Sequence, residues 1–293
     1  MPGLTSLVRG AAKGRPYLAV VKEASAAHGA DVAVLDGPGA PRLRAILGIP
    51  GTPPAEGRGL ALLVAVPGHD HGVALAALAA HRAAAGRALA LLTGTAVERR
   101  DLERRVAGHP GLGMGNVTHV RTLDGEEGAA AALAAVADAL ADDLPATARH
   151  IPALRPVATR LLVSRAARRA AAIGAAGVLP GTSMPALTLL QARLVMDLAV
   201  VHDRELGMER GLELAAVIAA GLGWRAVGRG ALMLLPGPAF ALRGGVAYAG
   251  TRAVGEAAAR WLAEGGAAAD RPLTGLKERI QGAVRRRRGG VGN

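Results

Sequence analysis

At 293 residues the chain is long enough for two domains, each able to bury its own core. It holds no cysteine, which excludes disulfides, thiolate zinc sites and cysteine nucleophiles, and its aromatic residues are only Tyr17, Trp224, Phe240, Tyr248 and Trp261, too few for base-stacking platforms. The net charge of +12 is confined to the C-terminal half: residues 1–148 carry 14 basic and 14 acidic side chains, residues 149–293 carry 21 and 9.

The opening Met-Pro-Gly-Leu-Thr-Ser lacks the apolar core and cleavage site of a secretory signal, so the expected compartment is the cytoplasm or its membrane face. A helix is expected over Tyr17–His28. Four apolar runs of strand length follow: Asp31–Asp36, Leu60–Pro67, Ala88–Gly94 and Val117–Leu123. Between and after them the spacing predicts helices over Pro41–Leu47, Val73–Ala85, Ala96–Ala107 and Glu126–Ala141. Strands alternating with helices favour a small Rossmann-like domain, a parallel sheet covered on both faces.

Such folds bind ligands beyond the carboxyl ends of their strands. The segments there are Asp36-Gly37-Pro38-Gly39-Ala40, Pro67-Gly68-His69-Asp70-His71-Gly72 and Thr93-Gly94-Thr95. None is a G-x-G-x-x-G, and none is a phosphate loop of the form G-x-x-x-x-G-K-[ST]. The only lysines, Lys13, Lys22 and Lys277, are placed elsewhere, so hydrolysis of GTP or ATP by phosphate-loop chemistry is not expected. His69 and His71 could converge on one metal ion, with Asp70 or His81 completing the site, but the pattern also fits a strand-to-helix loop in which Asp70 or His71 caps the next helix. The second reading is preferred, and neither a metal site, a cofactor nor a catalytic residue is expected. His28, His109, His119 and His150 are scattered, and no G-x-S-x-G elbow occurs.

Asp142–Thr147 reads as a hinge closing the first domain, residues 1–148. From there the expectation is all-α. A helix is predicted over Leu154–Ile173, with Pro156 in its first turn, where a missing N–H costs little. Arg165, Arg168 and Arg169 stand at i, i+3 and i+4 and form one basic face. The uncharged run Ala170–Ala192 is long enough to cross a bilayer, yet Gly174, Gly177, Pro180, Gly181 and Pro185 interrupt it, favouring a helix pair around a loop at Leu179–Pro185. Leu187, Leu190, Leu194, Leu198 and Val201 form the apolar stripe of the next helix. Leu212–Leu222 is apolar and leads to Trp224, with Arg225 and Arg229 four residues apart, a pattern that fits a membrane interface and equally two solvated arginines beside a buried indole. Arg252, Glu256, Arg260 and Glu264 alternate in sign every four residues, the mark of a solvated helix face. Arg285, Arg286, Arg287 and Arg288 make a basic tail.

The ordered string from His150 to Trp261 resembles a bacterial helical domain of unknown function that accompanies small GTPase-type domains, as in the YcjF-like inner-membrane protein family. The matching residues include Pro152-Ala153-Leu154-Arg155-Pro156, Ile173-Gly174, Pro180–Thr188, Gln191, Arg204-Glu205-Leu206, Glu213-Leu214, Gly221–Arg225, Arg229 and, most specific, Val246–Ala258. Ser183 stands where an acidic residue is expected, Leu190 where Asn is expected, and His202-Asp203 where Tyr-Gly is expected. The resemblance implies a membrane-associated helical module beside a degenerate GTPase-like fold.

The sequence therefore gives an α/β domain (1–148), a helical domain (149–265) and a basic tail (266–293). The expected function is that of a non-catalytic scaffold or sensor at the cytoplasmic membrane face, peripheral or re-entrant. Arg165, Arg168, Arg169, Arg225, Arg229 and Arg285–Arg288 would contact anionic lipid, and a GTPase or other protein is a possible partner. The rivals are a nucleotide-binding or hydrolytic enzyme of the GTPase-like class and a nucleic-acid adaptor. An integral or a soluble cytoplasmic protein are the alternative locations. Alanine, glycine, arginine and proline share GC-rich codons, so the abundance of arginine alone does not favour nucleic acid.

Overall fold

The computed structural model describes residues 29–50, 59–176, 183–204 and 239–264. The expected helices over Tyr17–His28 and Leu212–Leu222, together with Trp224, lie outside them. The chain divides into two compact units: Met1–Arg165 with Ala192–Glu205, called here the α/β unit, and Ala166–Gln191 with Leu206–Asn293, the helical unit.

The α/β unit is built on four parallel strands in the order β1 (Val32–Val34), β2 (Leu60–Ala65), β3 (Arg87–Leu92) and β4 (Val117–His119). Val32 pairs with Leu60, Leu60 with Arg87 and Ala90 with Val117, so each strand lies beside its immediate successor in sequence. All six residues of β2 are buried. That burial explains why β2 and β3 read as unbroken apolar runs rather than alternating ones: both faces of a parallel sheet are covered.

One face carries Leu60, Leu62, Val64, Leu89 and Leu91, packed against Ala40, Leu43 and Leu47 of α1 (Ala40–Leu47) and Ala132, Val136 and Leu140 of α4 (Gly125–Leu140). The other carries Ala61, Leu63, Ala65, Ala90 and Leu92, packed against Leu75 and Leu78 of α2 (Gly72–Ala83) and Leu102 and Val106 of α3 (Ala96–Ala107). The strands advance in one direction across the sheet. The helix after β1 therefore makes a crossover of opposite hand to the two that follow β2 and β3, an exception to the usual uniformity of parallel sheets.

Local signals account for the helix bounds. Pro41 sits in the first turn of α1, and Gly48 ends it at φ +67°, its N–H donating to the Arg44 carbonyl at 2.8 Å. Thr95 and Glu98 close a capping box on α3.

The segment Asp142–Thr147, read from sequence as a hinge, is instead part of the core. It forms a short turn and then α5 (Leu144–His150), with Leu144, Ala146, Thr147 and Ala148 buried. Asp143 pairs with Arg87, and the Thr147 hydroxyl accepts the Ala30 N–H at 2.9 Å. The first stretch of the α/β unit runs through to Arg165, inside α6 (Arg155–Ala176). The physical reason is that Leu144, Leu154, Val157 and Ala158 all complete the apolar layer beneath α4. α7 (Ser183–Val201) contributes its last part to the same layer through Val201.

In the helical unit, Ala170 of α6, Leu187 of α7 and Ala247 of α8 (Ala239–Ala263) form a small buried cluster, with Ile173 and Leu190 packed on it. The buried Gln191 amide donates to the buried Thr251 hydroxyl at 3.1 Å. Gly244 allows close approach: a Cβ there would stand 3.1 Å from the Ala171 carbonyl oxygen. Among the described residues no helix is long and apolar enough to cross a membrane. The run Ala170–Ala192 is shared between α6, which ends at Ala176, and α7, which begins at Ser183.

Candidate functional site

Ligand crevices in open parallel sheets form where the helices following neighbouring strands diverge to opposite faces. That happens twice here, between β1 and β2 and between β3 and β4, since α1 and α4 share one face and α2 and α3 the other.

At the first crevice, Arg44 of α1 folds back over the end of β1. It donates to the Val34 carbonyl at 2.8 Å and to Asp36 Oδ1 at 2.6 Å. Gly39 lies where a Cβ would come 2.3 Å from Val64 Cγ1, so only glycine lets α1 start this close to β2. The opposite wall is the loop of His69, Asp70 and His71. The buried His71 ring sets Nε2 2.9 Å from the Val66 oxygen and 3.0 Å from the Val66 nitrogen, and so bonds the end of β2 in either neutral tautomer. His69 Nδ1 is 3.1 Å from the Pro67 oxygen. Asp70 Oδ1 accepts the Gly72 N–H at 2.9 Å, a local turn bond just ahead of α2, whose N-cap residue His71 makes no side-chain cap bond. His81 lies apart, against the Gly59 carbonyl at 3.3 Å. Among the described residues no three His, Asp or Glu side chains converge to hold a metal ion.

At the second crevice, Gly94 adopts φ +101° and donates its N–H to the Arg121 carbonyl at 3.1 Å, while Arg99 donates to the Gly94 carbonyl. Glu98 Oε2 receives the Thr95 N–H at 2.8 Å and the Thr95 hydroxyl at 2.7 Å. The Thr95 backbone bond, followed by its hydroxyl, holds the Glu98 carboxyl below its ordinary range. Arg42 reaches the Leu123 carbonyl at 3.4 Å and stands 3.6 Å from Asp124. The side chains of both crevices thus bond mainly to the loops that carry them. Arg44 and Arg99 belong to no sequence motif: Arg44 meets the Val34 carbonyl and Asp36, and Arg99 the Gly94 carbonyl five residues back. The capping box, by contrast, is spelled out directly by Thr95-x-x-Glu98.

The arginines singled out for lipid contact separate into three groups. Arg165 is already engaged inside the α/β unit: Nη2 donates to Asp138 Oδ1 at 2.7 Å, and Nη1 stands 3.4 Å from the Ala141 carbonyl oxygen. It caps the carboxyl end of α4, where a cation is favoured. Arg168 and Arg169 are exposed and belong to the helical unit. Arg225, Arg229, Arg285, Arg286, Arg287 and Arg288 lie outside the described residues.

Farther along, Arg252 Nε donates to Glu256 Oε1 at 2.7 Å, and Arg260 Nε to the Glu256 carbonyl at 3.2 Å, so the alternating charges lie along one solvated face of α8. Glu256, and after it Tyr248, hold the Arg252 guanidinium more firmly protonated than usual. Leu190, in place of the expected Asn, packs on the apolar cluster of the helical unit. Asp203, in place of the expected Gly, takes up φ +55°, a conformation in which glycine is ordinarily favoured.

No family model matches the chain, and no curated protein and no solved structure matches it either.

Proposed function

We propose that this protein is a non-catalytic scaffold or sensor that docks peripherally on an anionic membrane surface through its basic helical half and displays the α/β unit, a GTPase-like fold without a phosphate loop, to a protein partner. The charge step carries the reading: the first 148 residues are neutral, and the remainder holds the entire surplus of +12. A cationic surface near anionic headgroups gains roughly 1 kcal/mol per charge. The exposed Arg169 and the absence of a crossing helix among the described residues support a peripheral mode. The two crevices support a non-catalytic role for the α/β unit, because His71, Asp70, Glu98 and Arg44 are engaged in shaping their own loops. The cytoplasmic face of the cell membrane is the location this reading implies.

Flotation of the full chain with vesicles tests the reading. Binding is expected to vesicles containing anionic lipid and not to neutral ones. It is expected to weaken with salt, as the Debye length falls from about 10 Å at 0.1 M to about 3 Å at 1 M. Replacing Arg285–Arg288 with Ser should weaken binding without abolishing it. Retention by cell membranes through high-salt and alkaline washes would instead indicate an integral protein. A Mg²⁺-dependent turnover of GTP that is lost in Asp36→Ala would favour the enzymatic rival.

A further inference from the structure

The chain re-enters the α/β unit at Ala192, and α7 ends there at Val201, fully buried in the layer that also holds Val157 and Ala158 of α6. The next three residues wind down the helix. The His202 N–H donates to the Leu198 carbonyl at 3.1 Å and the Arg204 N–H to the Ala199 carbonyl at 2.9 Å. Two side-chain contacts fasten this turn. Arg149 of α5 donates to Asp203 Oδ1 at 2.6 Å, and His202 Nε2 lies 3.4 Å from the Thr159 hydroxyl of α6. A hydroxyl donates or accepts as needed, so this contact serves either neutral tautomer and the imidazolium alike, and the sensitivity to protonation lies in the surrounding charges.

The charges facing this imidazole are cationic: Arg155, at the start of α6, and Arg204, two residues on. Arg155 is held in place, because its Nε and Nη2 donate to the carbonyls of Ala148 at 3.4 Å and Arg149 at 3.0 Å, where α5 ends. The neighbouring carboxylate, Asp203, is already taken by Arg149 of α5.

We propose that His202 is a pH-sensitive latch: neutral, it seats the last turn of α7 against α6, and protonated, it loosens Leu198–Arg204 from the rest of the α/β unit. Protonation places a third positive charge beside two guanidiniums in a half-buried position, with the local carboxylate occupied. Burial first, and then Arg155 and Arg204, hold the imidazole below its ordinary value of 6.5. A histidine whose folded-state pKa is depressed binds fewer protons folded than unfolded. Its contribution to stability is complete above the unfolded value and is lost as pH falls toward the folded one. The latch therefore holds at neutral pH and weakens in acid. This inference is independent of where the protein docks.

Amide hydrogen exchange of the full chain at about pH 8 and about pH 5, corrected for intrinsic rates, tests the latch. Amides of Leu198–Arg204 are expected to lose on the order of tenfold protection in acid, while those of β2 and β3 keep theirs. His202→Gln, neutral at both pH values, should abolish this selective loss. In the unsubstituted chain, the His202 ring followed by NMR should titrate below the ordinary histidine midpoint, a readout that survives even if the variant misfolds. Uniform loss across the unit, selective loss that persists in His202→Gln, or a midpoint at or above the ordinary value would overturn the proposal.

Discussion

In the α/β unit, the six consecutive residues of β2 have almost no exposed surface, whereas the described core of the helical unit gathers around Ala170, Leu187 and Ala247. The first is a two-sided sheet whose leucines and alanines interlock with helices above and below. The second relies on close approach of helices at small residues, Gly244 beside Ala171 among them, and on one buried polar pair, Gln191 with Thr251. Among the described residues, apolar area holds the first unit, whereas close fit and a buried hydrogen bond are prominent in the second.

Substitutions can break or sharpen that contrast. The largest loss is expected from Leu62→Ala, where a fully buried side chain leaves a cavity in the sheet layer, at roughly 3 kcal/mol in denaturant unfolding. Leu187→Ala, set among alanines, should cost less, about 2 kcal/mol; an equal or larger loss would erase the contrast. Gln191→Leu should cost about 2 kcal/mol despite its added apolar surface, because it strands the Thr251 hydroxyl; a neutral or stabilising result would show that the polar pair is dispensable.

Thr95→Ala should cost about 1 kcal/mol as the capping box is lost. It should also flatten the acid limb of the stability profile. Glu98, with its carboxyl held low, contributes stability above its unfolded pKa that is lost as pH falls through the folded one. Urea titrations at neutral and acid pH would read both effects. The smallest change is expected from Arg165→Gln: under about 1 kcal/mol for a partly exposed ion pair. Vesicle binding should be unaltered in that variant, whereas Arg168→Gln combined with Arg169→Gln should weaken binding about fivefold per charge.

Much of the α/β unit is legible before folding. Leu60–Ala65 and Arg87–Leu92 announce themselves because strands buried on both faces need apolar residues at every position, and Gly or Pro punctuates their ends. Asp142–Thr147 shows where such reading stops. Asp-Asp-Leu-Pro has the composition of a linker, but its role depends on Arg87 and Ala30, partners 56 and 117 residues away. The candidate site divides in the same way. That Asp70 turns back on the Gly72 N–H ahead of α2 is a local matter and can be read from its neighbours. That Arg165 binds Asp138 depends on α6 passing beside α4, which no spacing along α6 reveals. In the helical unit, Pro185, expected to close a loop at Leu179–Pro185, falls instead in the first turn of α7, where a proline is tolerated; Leu179–Thr182 lie outside the described residues.

The strand order has a consequence for how the protein is made. Because β1 to β4 sit side by side in the order they are synthesised, each can join the sheet as soon as it leaves the ribosome, with loop closures of under 30 residues. The apolar layer beneath α4 is not complete until Val201 arrives, after the chain has left the unit at Arg165 and come back at Ala192. A nascent chain halted before that point would carry a formed sheet with Val157 and Ala158 uncovered, a natural binding mark for chaperones. Pulse proteolysis of stalled chains ending before and after Val201 would show the step at which the layer closes.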